Sequence, residues 1–199
     1  MRETVLYVGR GTFVKKRILL MLVLAMFCFA SCSHSSVPDK QAHGETTLEF
    51  WIAEDVADVD WSAHDEIYGW MGAREFLGSD YKKTTAEDGS EKKPAHYVSY
   101  VITAYPDYAD GGQFVTDITV TDPEVKVYGL TVHASFAEFD AVFGPLGYEL
   151  SHGDGAIPTR RAAKDGITFS LERPTEENPG CVPTLRIRAT VTNKSGIVF

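Results

Sequence analysis

The chemistry open to this 199-residue chain is bounded by six histidines, three cysteines and 28 Asp and Glu residues. His34, His43, His64, His96, His133 and His152 never pair at the i+3 or i+4 spacing of a zinc site, and none joins a Cys in one. Asp55 to Glu66 spans the length of an EF-hand loop. Ala57, Val59 and Asp60 occupy positions where that loop needs an oxygen ligand, an oxygen ligand and Gly, so calcium is not expected. Gly-x-Ser-x-Gly and Gly-rich phosphate loops are missing, and no metal or cofactor is expected. The acid and His pairing left to test for hydrolysis is Asp107 with His96 or His133. Cys181 sits in the turn-rich run Asn178–Pro183 with no activating His or cation beside it in sequence, and reads as a passive thiol.

A binding surface is the stronger expectation. Trp51, Trp61 and Trp70 fall within twenty residues, interleaved with Asp55, Asp58, Asp60, Asp65 and Glu66. Tyr105, Asp107 and Tyr108 form the tip of a hairpin. Trp and Tyr dominate binding hot spots, so Trp61, Trp70, Tyr105, Asp107 and Tyr108 make the candidate patch. Trp51 and Trp70 are read first as closing the end of a small core, whereas Trp61, between Asp60 and Ser62, is expected to be exposed.

The clearest signal concerns location. Lys15, Lys16 and Arg17 precede Ile18–Ala30, an apolar run of 13 residues. A helix of that length covers about 20 Å, short of a ~30 Å hydrocarbon core, so it reads as a signal-peptide segment rather than a span. Phe29-Ala30-Ser31-Cys32 follows, and small residues before a Cys resemble a bacterial lipobox, with Cys32 the lipidated first residue of the mature protein. Residues 1–31 hold five basic side chains (Arg2, Arg10, Lys15, Lys16, Arg17) and one acid (Glu3). Their removal turns a chain of net charge −9 into a 168-residue protein of −13. Such a balance excludes a general nucleic-acid binder, which needs clustered Lys and Arg.

The elements that must position these residues follow from periodicity. Residues 32–45 are polar and read as a flexible tether, and residues 46–199 as one domain. Thr47–Ala53, Ala73–Leu77, Val125–Val132, Tyr148–His152, Gly166–Arg173 and Thr184–Asn193 read as strands, and Ser79–Ala95 as a loop. His96–Tyr105 and Phe114–Thr121 alternate as an antiparallel hairpin. Ser135-Phe136-Ala137-Glu138 is a capping box, followed by Phe136, Phe139, Phe143 and Leu146 on one helical stripe, which predicts a helix over about 136–146. A second short helix after Asp60 or Ser62 fits the acidic stretch. The fold class expected is α+β, an antiparallel sheet with helix packed on it.

Tyr128-Gly129-Leu130-Thr131, Ser135-Phe136-Ala137-Glu138-Phe139 and Phe143-Gly144-Pro145, followed by strands, resemble the helix–strand units of the SmpA/BamE and β-lactamase-inhibitor-protein-like exported modules. The likeness covers about residues 128–169 and shows one helix where those domains commonly have two. It implies a short helical layer on an antiparallel sheet and, often, a lipid anchor. Asp58-Val59-Asp60-Trp61, Gly72-Ala73-Arg74-Glu75 and Tyr105-Pro106-Asp107-Tyr108 resemble segments of bacterial exported lipoproteins of uncharacterised role. Tyr68-Gly69 and Tyr128-Gly129 hint at an internal duplication. The function expected is a lipid-anchored module of the bacterial cell envelope that binds a protein partner. An exported Asp/His hydrolase and an envelope-assembly lipoprotein are the alternatives.

Overall fold

The structure, a computed structural model, describes residues 37–41, 43–70, 72–104, 112–175, 179–189, 191–193 and 196–197. The export segment, Cys32, Tyr105, Asp107 and Tyr108 lie outside the described residues. The strands are β1 (Glu66–Trp70), β2 (Ala73–Leu77), β3 (Thr84–Thr85), β4 (Glu91–Lys92), β5 (Val98–Ala104) and β6 (Gln113–Val120). After helix α1 (Phe136–Phe143) come β7 (Glu149–His152), β8 (Thr159–Lys164), β9 (Ile167–Glu172), β10 (Thr184–Ala189), β11 (Val191–Asn193) and β12 (Gly196–Ile197). The class is α+β and strongly sheet-rich.

Eight strands form one antiparallel sheet in the order β1-β2-β5-β6-β10-β9-β8-β7, while β3-β4 and β11-β12 are separate two-stranded ribbons. The large sheet is two four-stranded meanders joined along their last strands. Ile118 of β6 pairs with Ile187 of β10, and on either side Tyr100 faces Ile118 while Phe169 faces Ile187. Phe76 and Ala162 continue the row outward on β2 and β8. These six side chains are all nearly or fully buried, so one transverse row makes the spine of the core. The Ile118–Ile187 pair is the local two-fold centre of this arrangement. Tyr68-Gly69 lies within β1 whereas Tyr128-Gly129 lies in a turn ahead of α1, so that repeated dipeptide is not what relates the two halves.

One face of the sheet carries the buried core, including Val98, Tyr100, Ile118, Ile187 and Phe169. Phe143 of α1 stacks on Phe169 at 4.6 Å between centroids, and Phe139 packs on Phe143. The capping box expected from sequence is formed: Ser135 Oγ accepts from Glu138 N at 3.2 Å, and Glu138 Oε2 accepts from Ser135 N at 2.7 Å. Arg160 of β8 grips Asp140 of α1 with both arms of its fork, at 2.6 and 2.8 Å. Gly144 N donates to Asp140 O and caps α1, so the helix ends at Phe143, four residues before the left-handed Gly147 (φ 76°).

Five sequence expectations need correction. Thr47–Ala53 is buried as expected, with Leu48, Phe50, Trp51 and Ile52 in the core, but it is not a strand. It runs under the sheet and turns at Ala53 (φ 61°), and then Asp55 bridges Phe114 at the part of β6 that β10 does not reach. Val125–Val132 is a tight turn in which Val127 and Leu130 exchange both backbone bonds. Tyr128 (φ 53°) and Gly129 (φ 78°) at its centre have the positive φ of a type I′ turn. The place of the second short helix holds a single 3₁₀ turn, Trp61–Ala63, capped by Asp60. Glu66–Trp70 and Thr159–Lys164, not expected as strands, are β1 and β8. Residues 37–45, read as tether, hold to the domain: Val37 packs on the core, Tyr128 Oη donates to Asp39 O, and Gly129 N donates to Glu45 O.

Four phenols sit in this layer or at its rim. Burial pushes the hydroxyls of Tyr81, Tyr100 and Tyr128 up beyond the usual phenol range, and that of Tyr148 up to about 12. Each stays neutral in the fold while the unfolded chain ionises near pH 10, so the native state holds more protons there and loses stability as pH rises above about 10. The urea midpoint is therefore expected to fall between pH 8 and 11. Tyr100→Phe should flatten that fall and lower the midpoint at pH 8, because Glu49 N donates to Tyr100 Oη at 3.0 Å. An unchanged pH slope in this variant would contradict the assignment.

Candidate functional site

The opposite face of the sheet is polar, because alternate residues along each strand point away from the core. On the first meander its groups satisfy one another. Lys93 and Ser99 both donate to Glu75 Oε1, and the Thr103 and Thr116 hydroxyls share a bond of 2.8 Å. At the seam, Asp117 receives Arg188 Nε at 2.8 Å and holds Arg186 Nε at 3.7 Å. Arg186 Nε also donates to Thr119 Oγ1 at 3.5 Å.

The second meander differs. A groove of about 430 Å³ opens over β7 to β10, lined by Arg161, Arg186, Arg188, Glu172 and a run of Ser and Thr. Register places Arg186 opposite Ser170, Ser170 opposite Arg161 and Arg161 opposite Ser151, a strip crossing four strands. Thr168 lies on the same face beside it, between Arg188 and Ala163. Among the described residues, the side chains of Arg161, Ser170, Thr168 and Ser151 have no hydrogen-bond or ion-pair partner. Adjacent residues on β8 thus do opposite work: Arg160 fastens the helix and Arg161 stands open on the other face. Sequence reasoning missed this site. The signal available was Arg160-Arg161 with Arg186-x-Arg188, cations spaced to share one face of a strand in an acidic chain.

Of the expected patch, the Trp61 side chain is the one that falls within the described residues. Trp61 is half-buried and belongs to the core, stacked on Phe76 at 4.5 Å and tilted against Phe50 and His64. The polar neighbours Asp60 and Ser62 pointed to exposure, but Asp60 is spent on capping the turn that folds the indole inward. Trp51 closes the core, as expected, against Tyr128 and Phe169. Trp70 ends β1, and its side chain lies outside the described residues, as do Tyr105, Asp107, Tyr108 and Cys32. Trp61→Ala is accordingly expected to act on stability, lowering it by about 2–3 kcal/mol. Trp61→Phe, which keeps a ring on Phe76 and deletes an indole N–H that is buried without a partner, should cost less than about 1 kcal/mol. Urea midpoints of the two variants check this ordering, and equal losses would contradict it.

Of the residues named for hydrolysis, Asp107 lies outside the described residues, and among the described residues neither His96 nor His133 has an acid partner. His96 Nδ1 lies 3.3 Å from Thr121 O, and His133 is exposed. The His–carboxylate contact among the described residues is His64 Nε2 to Glu49 Oε1 at 2.9 Å. Glu49 also accepts from Ser79 N and Ser79 Oγ, at 3.1 and 3.2 Å. Serine here gives its proton to the carboxylate rather than to the imidazole, the reverse of what a nucleophile needs. The trio is a staple joining three segments of chain. Among the described residues no cluster of three or more His, Cys, Asp or Glu could hold a metal ion.

No protein-family model, no curated protein and no solved structure matches the chain.

Proposed function

We propose that this protein is a lipid-anchored, extracytoplasmic module of a bacterial cell envelope that recognises a protein partner on the open face of its sheet. The anchor follows from the basic, apolar, small-residue and Cys32 order of the first 32 residues. Recognition follows from one observation: the groove over β7 to β10 presents Arg161, Ser170, Thr168 and Ser151 with no side-chain partner among the described residues. Side-chain donors held on the strands of a packed sheet are positioned before a ligand arrives, which lowers the ordering cost of binding.

A photo-crosslinking residue at Ser151 or Thr168, on the open face, tests this in cells, with Ala141 on the exposed side of α1 as the comparison. A discrete protein adduct from the two sheet positions and none from Ala141 is expected. Equal labelling from all three, or none from the sheet, overturns the reading.

A further inference from the structure

The chain carries 28 acidic against 19 basic side chains, yet three of its arginines converge on one groove. Asp117 engages two of them, Arg188 and Arg186, while Arg161 has no carboxylate partner among the described residues. Arg161 and Arg186 flank Ser170 on neighbouring strands, so their backbones stand about 10 Å apart. Carboxylates two residues apart on one face of an extended chain are separated by about 7 Å, within reach of two long side chains at that spacing. Guanidinium groups take carboxylates in paired bonds, and the Ser170, Thr168 and Ser151 hydroxyls can serve peptide N–H and C=O groups. Among the described residues no aromatic side chain lines the groove, so it offers no stacking platform of the kind a sugar ring uses. Glu172 at one border repels carboxylates there and leaves the Arg161–Arg186 strip as the place for them.

We propose that this strip binds an extended, acidic peptide segment of the partner, with Arg161 and Arg186 taking carboxylates from alternate residues. The proposal rests on the reading of the open face as a recognition surface and names its ligand. Arg161 is the discriminating position, because it is exposed and has no side-chain partner among the described residues, so its removal is expected to leave the domain intact.

The test uses the full lipidated chain in detergent micelles and a fluorescent hexapeptide with Glu at alternate positions. Its Gln counterpart and an oligogalacturonate serve as competing probes. The Glu peptide should bind, the Gln peptide at least tenfold more weakly, with affinity falling as salt rises. Arg161→Ala should weaken the Glu peptide about tenfold. Lys92→Ala, on the separate β3-β4 ribbon, should leave it unchanged. Equal binding of Glu and Gln peptides, no effect of Arg161→Ala, or preference for the oligogalacturonate overturns the proposal. If the peptide fails while the sheet-face adducts form, the ligand assignment falls and the recognition reading stands. If the peptide binds but the adducts are missing, the broader reading falls.

Discussion

Phe169→Ala is expected to destabilise the domain by about 3–5 kcal/mol, a large share of the ~5–15 kcal/mol that holds a domain together. Phe169 is fully buried on β9 and lies against Trp51, Tyr128, Phe143 and Tyr148, with centroid distances of 6.3, 5.7, 4.6 and 5.7 Å. Those four rings come from four separate stretches of chain, and Phe169 is where they meet the sheet. Truncation removes the transfer energy of the ring and leaves a cavity that the surrounding aromatics cannot close, because a strand pinned on both sides does not move inward. Urea unfolding followed by Trp fluorescence reads the effect as a lowered midpoint at unchanged slope. Tyr68→Ala, at a side chain 55% exposed, is the control and should shift stability by less than about 0.5 kcal/mol. A loss below about 1.5 kcal/mol at Phe169 would falsify the placement of the core.

Cys32→Ser is expected to move the protein almost entirely from the membrane pellet to the soluble fraction. Each acyl CH₂ buried in a bilayer contributes about 0.8 kcal/mol, so two chains hold a domain firmly and their loss leaves little else to do so. Residues 32–199 carry a net charge of −13, which an anionic membrane surface would repel. Fractionation of cells expressing the two forms, with the mass of the processed N-terminal peptide, makes the measurement. A variant that still pellets with membranes, or a processed N-terminus that does not begin at residue 32, sinks the anchor.

Sequence reading succeeded where local physics decides the outcome. β5, β6, β9 and β10 alternate apolar and polar residues because each has one face in the core, and that period is visible in Val98–Ala104 or Ile167–Glu172 alone. The helix announced itself through Ser135 and Glu138, whose capping bonds span three residues. Reading failed where a long-range neighbour overrode the local pattern. Leu48, Phe50 and Ile52 have a strand's alternation but run beneath the sheet, where no neighbouring strand offers them a ladder. Thr159–Lys164 lacks the alternation and is a strand because β7 and β9 pair with it.

The sites divide in the same way. Cys32, the export segment and the capped helix are expectations that arise from consecutive residues. Composition alone showed that residues 32–199 are strongly acidic. Trp61 illustrates the boundary: its flanking polar residues are a local fact, and the Phe76 ring that receives it is not. The groove belongs wholly to tertiary structure. Arg161 and Arg186 are 25 positions apart in the chain. Antiparallel registers through Ser170 set them on one face at about 10 Å, a proximity that depends on which strands pair and in what register.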